Sequence, residues 1–317
     1  MIDFRYHLVS IVAVFMALAI GIVLGTGPLR EPIRENLKAN TETLRKSNDD
    51  LRAQLRTLQD QVDYDQRFAS AVLPDLLGGR LQGATVLLVV APGAADATVS
   101  GLGEAITTAG GRIAGTLTLT STFIDPAQSG ELGRLADRYR PAGVELAAQD
   151  SPAERAATVL ASLLLTTADV GPGQQLAPEA QAALSGFEDG DLVKVKALQA
   201  VASMAVLVAP AQPPAESDAA SRDAQVLLAV ARRFDAASLG TVVAGTGADA
   251  GGTGLVAVLR QSDAAGRVSS VDTADTVIGQ AAAVLALAEQ RLGRAGQYGS
   301  GGGADQPAPA ATPGATP

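Results

Sequence analysis

From Leu8 to Leu24 the chain reads LVSIVAVFMALAIGIVL, seventeen residues without a charge. Extended to Gly27 the run has 20 residues, which as a helix covers about 30 Å, the thickness of a bilayer's hydrocarbon core. Eleven of the first seventeen are Leu, Ile, Val or Phe, each worth roughly −0.3 to −0.6 kcal/mol at the centre of an inserted helix. That sum outweighs Ser10 and the glycines. A core helix of a globular protein would show a polar face over such a length, and this run has none. Its exit, GIVLGTGPLREP, lacks a small-residue cleavage site and passes into helix-forming sequence. The segment is therefore expected to remain as an anchor rather than be removed as a signal peptide. Arg5 precedes the span while Arg30, Arg34 and Lys38 follow it, so charge alone does not orient it.

Beyond the anchor, LKANTETLRKSNDDLRAQLRTLQDQV places leucine at 37, 44, 51 and 58. Four leucines at a spacing of seven form one narrow stripe along a helix, a shape that suits another helix better than a globular core. With Leu37, Leu44, Leu51 and Leu58 at heptad position d, position a holds Thr41, Asn48, Leu55 and Val62. A single asparagine at an a position fixes register and favours two parallel strands at some cost in stability. The flanking g positions are Asn40, Ser47, Gln54 and Gln61, against Lys38, Arg45, Arg52 and Gln59 at e. A homodimer would gain little from salt bridges across such a seam, and an acidic partner helix would pair better. The expected interface is Leu37, Leu44, Asn48, Leu51, Leu55, Leu58 and Val62, facing a second copy or a partner's helix.

Residues 30 to 67 carry eight Lys/Arg and eight Asp/Glu, whereas residues 68 to 317 carry 15 against 24. An acidic body with no basic stripe repels phosphate backbones, so nucleic acid is not an expected partner. There is no cysteine, which rules out disulfides, thiolate nucleophiles and zinc–thiolate sites.

From about Gly83 the pattern changes. ATVLLVVA, then DATVSGLGEAITTAG, then GRIAGTLTL read as strand, helix and strand, one unit of a parallel sheet. Helices are expected at 129–139, 153–168 and 178–186, followed by the strands DLVKVKAL and MAVLVAP. A helix from Asp218 to Phe234 and the strands LGTVVAG and GLVAVLR come next. A last helix runs from Asp275, a natural N-cap, to Leu292. The prediction is a three-layer α/β domain with a mainly parallel sheet and mixed pairing near GTGADAGGTG (245–254). That glycine-rich stretch lacks the Lys-Ser/Thr of a phosphate loop and reads as a strand connection. Glu188, Asp189 and Asp191 read as a solvated turn. The single histidine, His7, lies at the membrane end, so no Ser-His-Asp triad forms in the body and no enzyme is expected. After Gly293 the Pro/Gly-rich sequence has too little apolar material to pack and reads as disordered.

The opening MIDFRYHLVSIVAVFMALAIGIVLG and the closing VDTADTVIGQAAAVLALAEQRLG…GQYG resemble the actinobacterial MctB family, a likeness running from residue 1 to about Gly299. The polar lead DFRYH before an apolar run carries most of its specificity. The resemblance implies an envelope protein anchored by one N-terminal helix, with most of the chain outside the cytoplasm and a role in copper efflux or tolerance. The corynebacterial cell-separation protein SteB is similar to the same family. Through it the resemblance implies a second job, a coiled coil working with partners that control a peptidoglycan hydrolase.

A Cu(I) relay needs several Cys, Met or His side chains converging, and outside the anchor the chain offers only Met204, within the apolar run MAVLVAP. Met204 reads as core and His7 as an anchor residue reaching for the headgroups. No metal ligand or cofactor is expected from the residues, and copper rests on the resemblance alone. An outer-membrane barrel would need many ten-residue segments of alternating polarity, a pattern the chain lacks. The expectation is an anchor (1–28), a coiled-coil stalk (29–67), an α/β body (80–292) and a tail (293–317). It describes a scaffold or adaptor for envelope partners, with copper transport across the envelope as the alternative.

Overall fold

The computed structural model describes residues 4–26, 30–168, 174–212 and 217–310; side chains in 30–37 lie outside that description. Two compact units divide the chain, Met1–Asp65 and Gln66–Pro317. The first holds α1 (Phe4–Thr26) and most of α2 (Arg30–Leu77). Within α1, Arg5–Gly25 is long and apolar enough to cross a bilayer, with a mean hydropathy of 2.8 and no buried side chain. The 48 residues of α2 are rich in Arg, Leu, Gln and Ala, good helix formers. Pro74 falls in its last turn, where the helix is about to end in any case. Below Gln66 one face of α2 belongs to the body. Ala69, Leu73, Leu77 and Leu81 follow one another at intervals of four, and the last two are fully buried under the sheet's edge of the core.

The body continues with β1 (Thr85–Val90), α3 (Asp96–Thr108), β2 (Arg112–Leu119), α4 (Ser121–Ile124), α5 (Ser129–Arg138), α6 (Pro152–Leu164) and α7 (Pro178–Asp189). Then come β3 (Val193–Lys196), β4 (Met204–Val208), α8 (Asp218–Ala236), β5 (Thr241–Ala244), α9 (Leu255–Arg260), β6 (Ser269–Val271), α10 (Val277–Gln290) and β7 (Gln297–Tyr298). The strands form one sheet in the order β3-β2-β1-β4-β5-β6-β7, parallel except for β3, which runs antiparallel to β2. Every residue of β1, β4 and β5 is buried. This is why they read as unbroken apolar runs: a parallel sheet is covered on both faces and has no polar side.

Alternate side chains of each strand enter opposite layers. Val86 and Leu88 meet Leu102 and Ile106 of α3, the small-residue face of α10, and Leu77. Leu87 and Val89 meet Phe123, the alanine-rich face of α6, and Leu227 and Phe234 of α8. A capping box begins α6: Ser151 Oγ accepts from Glu154 N, and the Glu154 carboxylate accepts from Ser151 N.

Several expected details differ. GLVAVLR forms helix α9, because the Asp249 carboxylate accepts from Leu255 N and Val256 N at 2.9 Å each and so starts a helix there. A short all-apolar run carries no period to decide between helix and strand. The neighbouring sheet position goes instead to β6, with the sequence SSV. Mixed pairing occurs at β2–β3 and not near GTGADAGGTG, which joins β5 to α9. Edge strand β3 exposes Lys194 and Lys196, charges that discourage pairing with another chain. The N-cap of α10 is Thr276, whose hydroxyl accepts from Gly279 N, one residue beyond Asp275.

The segment after Gly293 was expected to be unpacked, yet up to Ala310 it is part of the body, with β7 parallel to β6; residues 311–317 lie outside the described residues. Polar contacts hold it, which an apolar count does not detect. Arg260 Nη1 meets Asp272 Oδ2 at 2.8 Å, with side chains only 3% and 0% exposed. Arg260 also donates to Ser270 Oγ, Tyr298 O and Gly302 O. Asp272 accepts from Ser300 N and Gly301 N, both at 2.8 Å. Gly299 sits at φ +130°, where a Cβ would run into the Asp272 carboxylate. Gln297 adds a buried amide that donates to Ala265 O and Val268 O and accepts from Ser270 Oγ.

Asp272→Ala leaves the Arg260 guanidinium buried without its counter-charge. It should destabilise the body by about 3–5 kcal/mol in chemical denaturation, whereas Asp137→Ala, at the half-exposed pair with Arg155, should cost less than about 1 kcal/mol.

Candidate interaction face and the acidic groups of the body

The structure places Leu44, Asn48, Leu51, Leu55, Leu58 and Val62 on α2; Leu37 lies on the same helix, its side chain outside the described residues. The five large apolar residues among them are exposed, from 71% at Leu44 through 58% at Leu51, Leu55 and Leu58 to 52% at Val62. Asn48 is exposed as well. Spacings of four and three residues put Leu51, Leu55, Leu58 and Val62 on one face of the helix. Such a face on a solvated helix is unusual, since surface helices of globular proteins bury their apolar stripe.

In the body, GTGADAGGTG already contains an anion of its own. Asp249, 1% exposed, fills the loop with its own carboxylate, and a Cβ at Gly254 would strike the Asp249 backbone. Glu188 accepts from Val195 N at 2.8 Å, tying the end of α7 to β3, while Asp191 takes a positive φ of 50° in the turn between them. These acids shape a turn. Met204 lies fully buried in β4, and His7 lies on α1. Among the described residues no three His, Cys, Asp or Glu side chains come together in a geometry that could hold a metal ion.

Burial raises three carboxyls. Asp235, near the end of α8, is pushed up to about 6 by burial, against the opposing pull of Thr241 N–H and Arg267. Asp249 is raised by burial despite its two helix N–H donors and Arg260. Asp223 is raised by burial first and by Asp125, with Arg222 opposing. No spacing in the sequence marks Asp223. It faces a cavity together with Pro92 and Gly93, the turn after β1 where nucleotide-binding folds place their loop.

With the exposed helix face and the body described, comparison with known proteins becomes informative. The family described as "Copper transport outer membrane protein, MctB" matches residues 1–309. The chain belongs to the MctB family. Proteins named "Copper transporter MctB" from Mycobacterium bovis and Mycobacterium tuberculosis are 28% identical to it over 314 residues, covering 96% of this chain and 98% of theirs. The protein of the same name from Mycobacterium leprae is 29% identical over 328 residues, with the same coverage. The likeness thus extends over anchor, long helix and body together. A membrane or envelope location fits both the apolar helix α1 and the family's description.

The raised Asp235 has a testable sign. Its folded value lies above the ordinary unfolded value of about 3.9, so between roughly pH 4 and 6 the folded state keeps a proton that the unfolded state has lost. Stability from this group therefore falls as pH rises through that window. Asp235→Asn should remove the slope, gaining stability relative to wild type between pH 4 and 6.5, as denaturant midpoints across that range would show.

Proposed function

We propose that this member of the MctB family is a single-pass envelope scaffold. On this reading α1 is its anchor, α2 pairs through the Leu44–Val62 face with α2 of a second copy, and the α/β body is a non-catalytic binding module outside the cytoplasm. The observation that carries the reading is the exposed heptad face. Burying Leu51, Leu55, Leu58 and Val62 against identical residues would stabilise each helix by about 1.5–3 kcal/mol per side chain fully buried. Parallel pairing follows from the anchor, because two copies inserted in one membrane send their α2 helices the same way. Asn48 then faces Asn48 and sets the register. A partner helix with acid at its g positions would complement Lys38, Arg45 and Arg52 better, and regulation of a cell-wall hydrolase through such a partner is the form of scaffolding that the resemblance to SteB suggests.

Copper transport is the second reading, supported by the family's description and by the names of the mycobacterial relatives. The two readings meet if the chain assembles a copper-handling complex whose soft ligands come from another protein. With no Cys and with Met204 in the core, a Cu(I) shell built from the body's own side chains lacks donors.

Because the chain has no cysteine, single introduced cysteines report pairing without background. In lipid nanodiscs, Leu51→Cys and Leu58→Cys at d should crosslink to dimers on mild oxidation, and Ala53→Cys at f should not. Asn48→Leu should raise the melting temperature while loosening the choice of oligomer, and Leu51→Asp should dissociate the pair. Equal crosslinking at d and f, or none at either, would count against the homodimer.

The copper reading has its own test. The full chain in nanodiscs should bind Cu(I) in competition with a chromogenic chelator no better than a cysteine-free acidic protein of similar size. A stoichiometric tight site would restore direct transport by this chain. Protease added to intact spheroplasts should remove the body; a protected body would reverse the proposed orientation.

A further inference from the structure

The strand order steps from β1 to β2 and β3 on one side and from β1 to β4, β5 and β6 on the other. The loops that leave the C-terminal ends of β1 and β4 diverge there. In open α/β sheets the crevice so formed is where ligands bind. A cavity of about 240 Å³ occupies it, bounded by the turns after β1 and β4, the loop after β5 and the N-terminal half of α8. This volume is below the 300–1,000 Å³ of drug-sized sites, so the occupant would be a single-ring fragment or a short chain.

The lining sets the chemistry. Ile124, Pro210 and Leu227 give apolar walls. Among the described residues, the charged ones that line it are Asp223 and Asp249, and none is Lys or Arg. Asp249 spends both oxygens on the N-terminus of α9, which leaves Asp223 as the acid with oxygens to offer a ligand. Thr253 also lines the cavity, but its Oγ1 is closed off from solvent and so from a ligand there. Asp125 adds negative potential to Asp223, and Arg222, beside it on α8, is the opposing cation and lines a separate cavity. The first turn of α3, where a dinucleotide fold would receive a pyrophosphate, starts with Asp96. A phosphate there would be repelled by the Asp96 carboxylate.

We infer that this cavity binds a small organic ammonium ion, its apolar body against Ile124, Pro210 and Leu227 and its N–H groups directed to Asp223. The inference stands apart from the stalk, since none of these residues belongs to α2.

Three probes of one shape separate charge from size: cyclohexylammonium, cyclohexanol and cyclohexanecarboxylate. Each is titrated at pH 7.5 against the full chain in nanodiscs of zwitterionic lipid, by ligand-observed NMR, with empty nanodiscs subtracted. The ammonium should saturate at a Kd at least about tenfold below that of the alcohol, the ratio expected of one charge-assisted hydrogen bond, and the carboxylate should show no saturable binding. Asp223→Asn should bring the ammonium to the level of the alcohol, and Asp223→Ser should do the same. If circular dichroism shows one variant unfolded the other decides. Equal binding of all three probes, no saturable binding of the ammonium, or an ammonium preference that survives the substitutions would overturn the assignment.

Discussion

The need to cover both faces of a parallel sheet governs the body. Once β1, β4 and β5 are committed to a sheet with no solvated side, each strand must hand alternate residues to two separate layers. The chain supplies those layers unequally. On one side α3 and α10 lie close, and α10 contributes alanine after alanine. On the other side the larger set α4 to α9 carries the phenylalanines, with Phe123, Phe187 and Phe234 all essentially without exposure. The end of α2 belongs to this economy: Leu77, and Leu81 just beyond the helix, fill the thin layer.

What could be read from the sequence was whatever has a period or a length. The apolar run of α1, the seven-residue repeat of α2 and the uniform strands β1, β4 and β5 each carry a signal that needs no tertiary information. Three things carried none. GLVAVLR is too short and too uniformly apolar to choose between helix and strand, and a carboxylate five residues earlier than the run, Asp249, made the choice. SSV has no apolar excess, and it is a strand because Gln290 and Gln297 satisfy its hydroxyls from neighbouring elements. Gln297 and Tyr298 sit in a glycine-rich stretch whose composition reads as unpacked, and a buried ion pair at Arg260 and Asp272 orders it.

The candidate sites divide in the same way. The exposed face of α2 is visible in the sequence because a heptad is local. The crevice beside Asp223 and Thr253 is invisible there, since those residues are 30 apart and have neither spacing nor motif in common. Only the strand order brings the ends of β1 and β4 together, and only the fold shows that a hydroxyl has been closed off there without a partner. Family likeness over nearly the whole chain adds a name for a process, copper transport, which no spacing of residues in this chain spells out.

The latch between Arg260, Asp272 and the backbone of Ser300 and Gly301 has a consequence for how the protein is made. Strands β1 to β6 are synthesised before the amides that complete the carboxylate's shell, so until residues 300 and 301 emerge Asp272 has Arg260 as its partner but lacks two of its donors. Full satisfaction of that carboxylate depends on a segment some thirty residues beyond the acid itself. The glycine-rich run near the end of the described chain thus completes the core from a distance, and its lack of side chains at Gly299 and Gly301 is what lets its backbone lie against the Asp272 carboxylate.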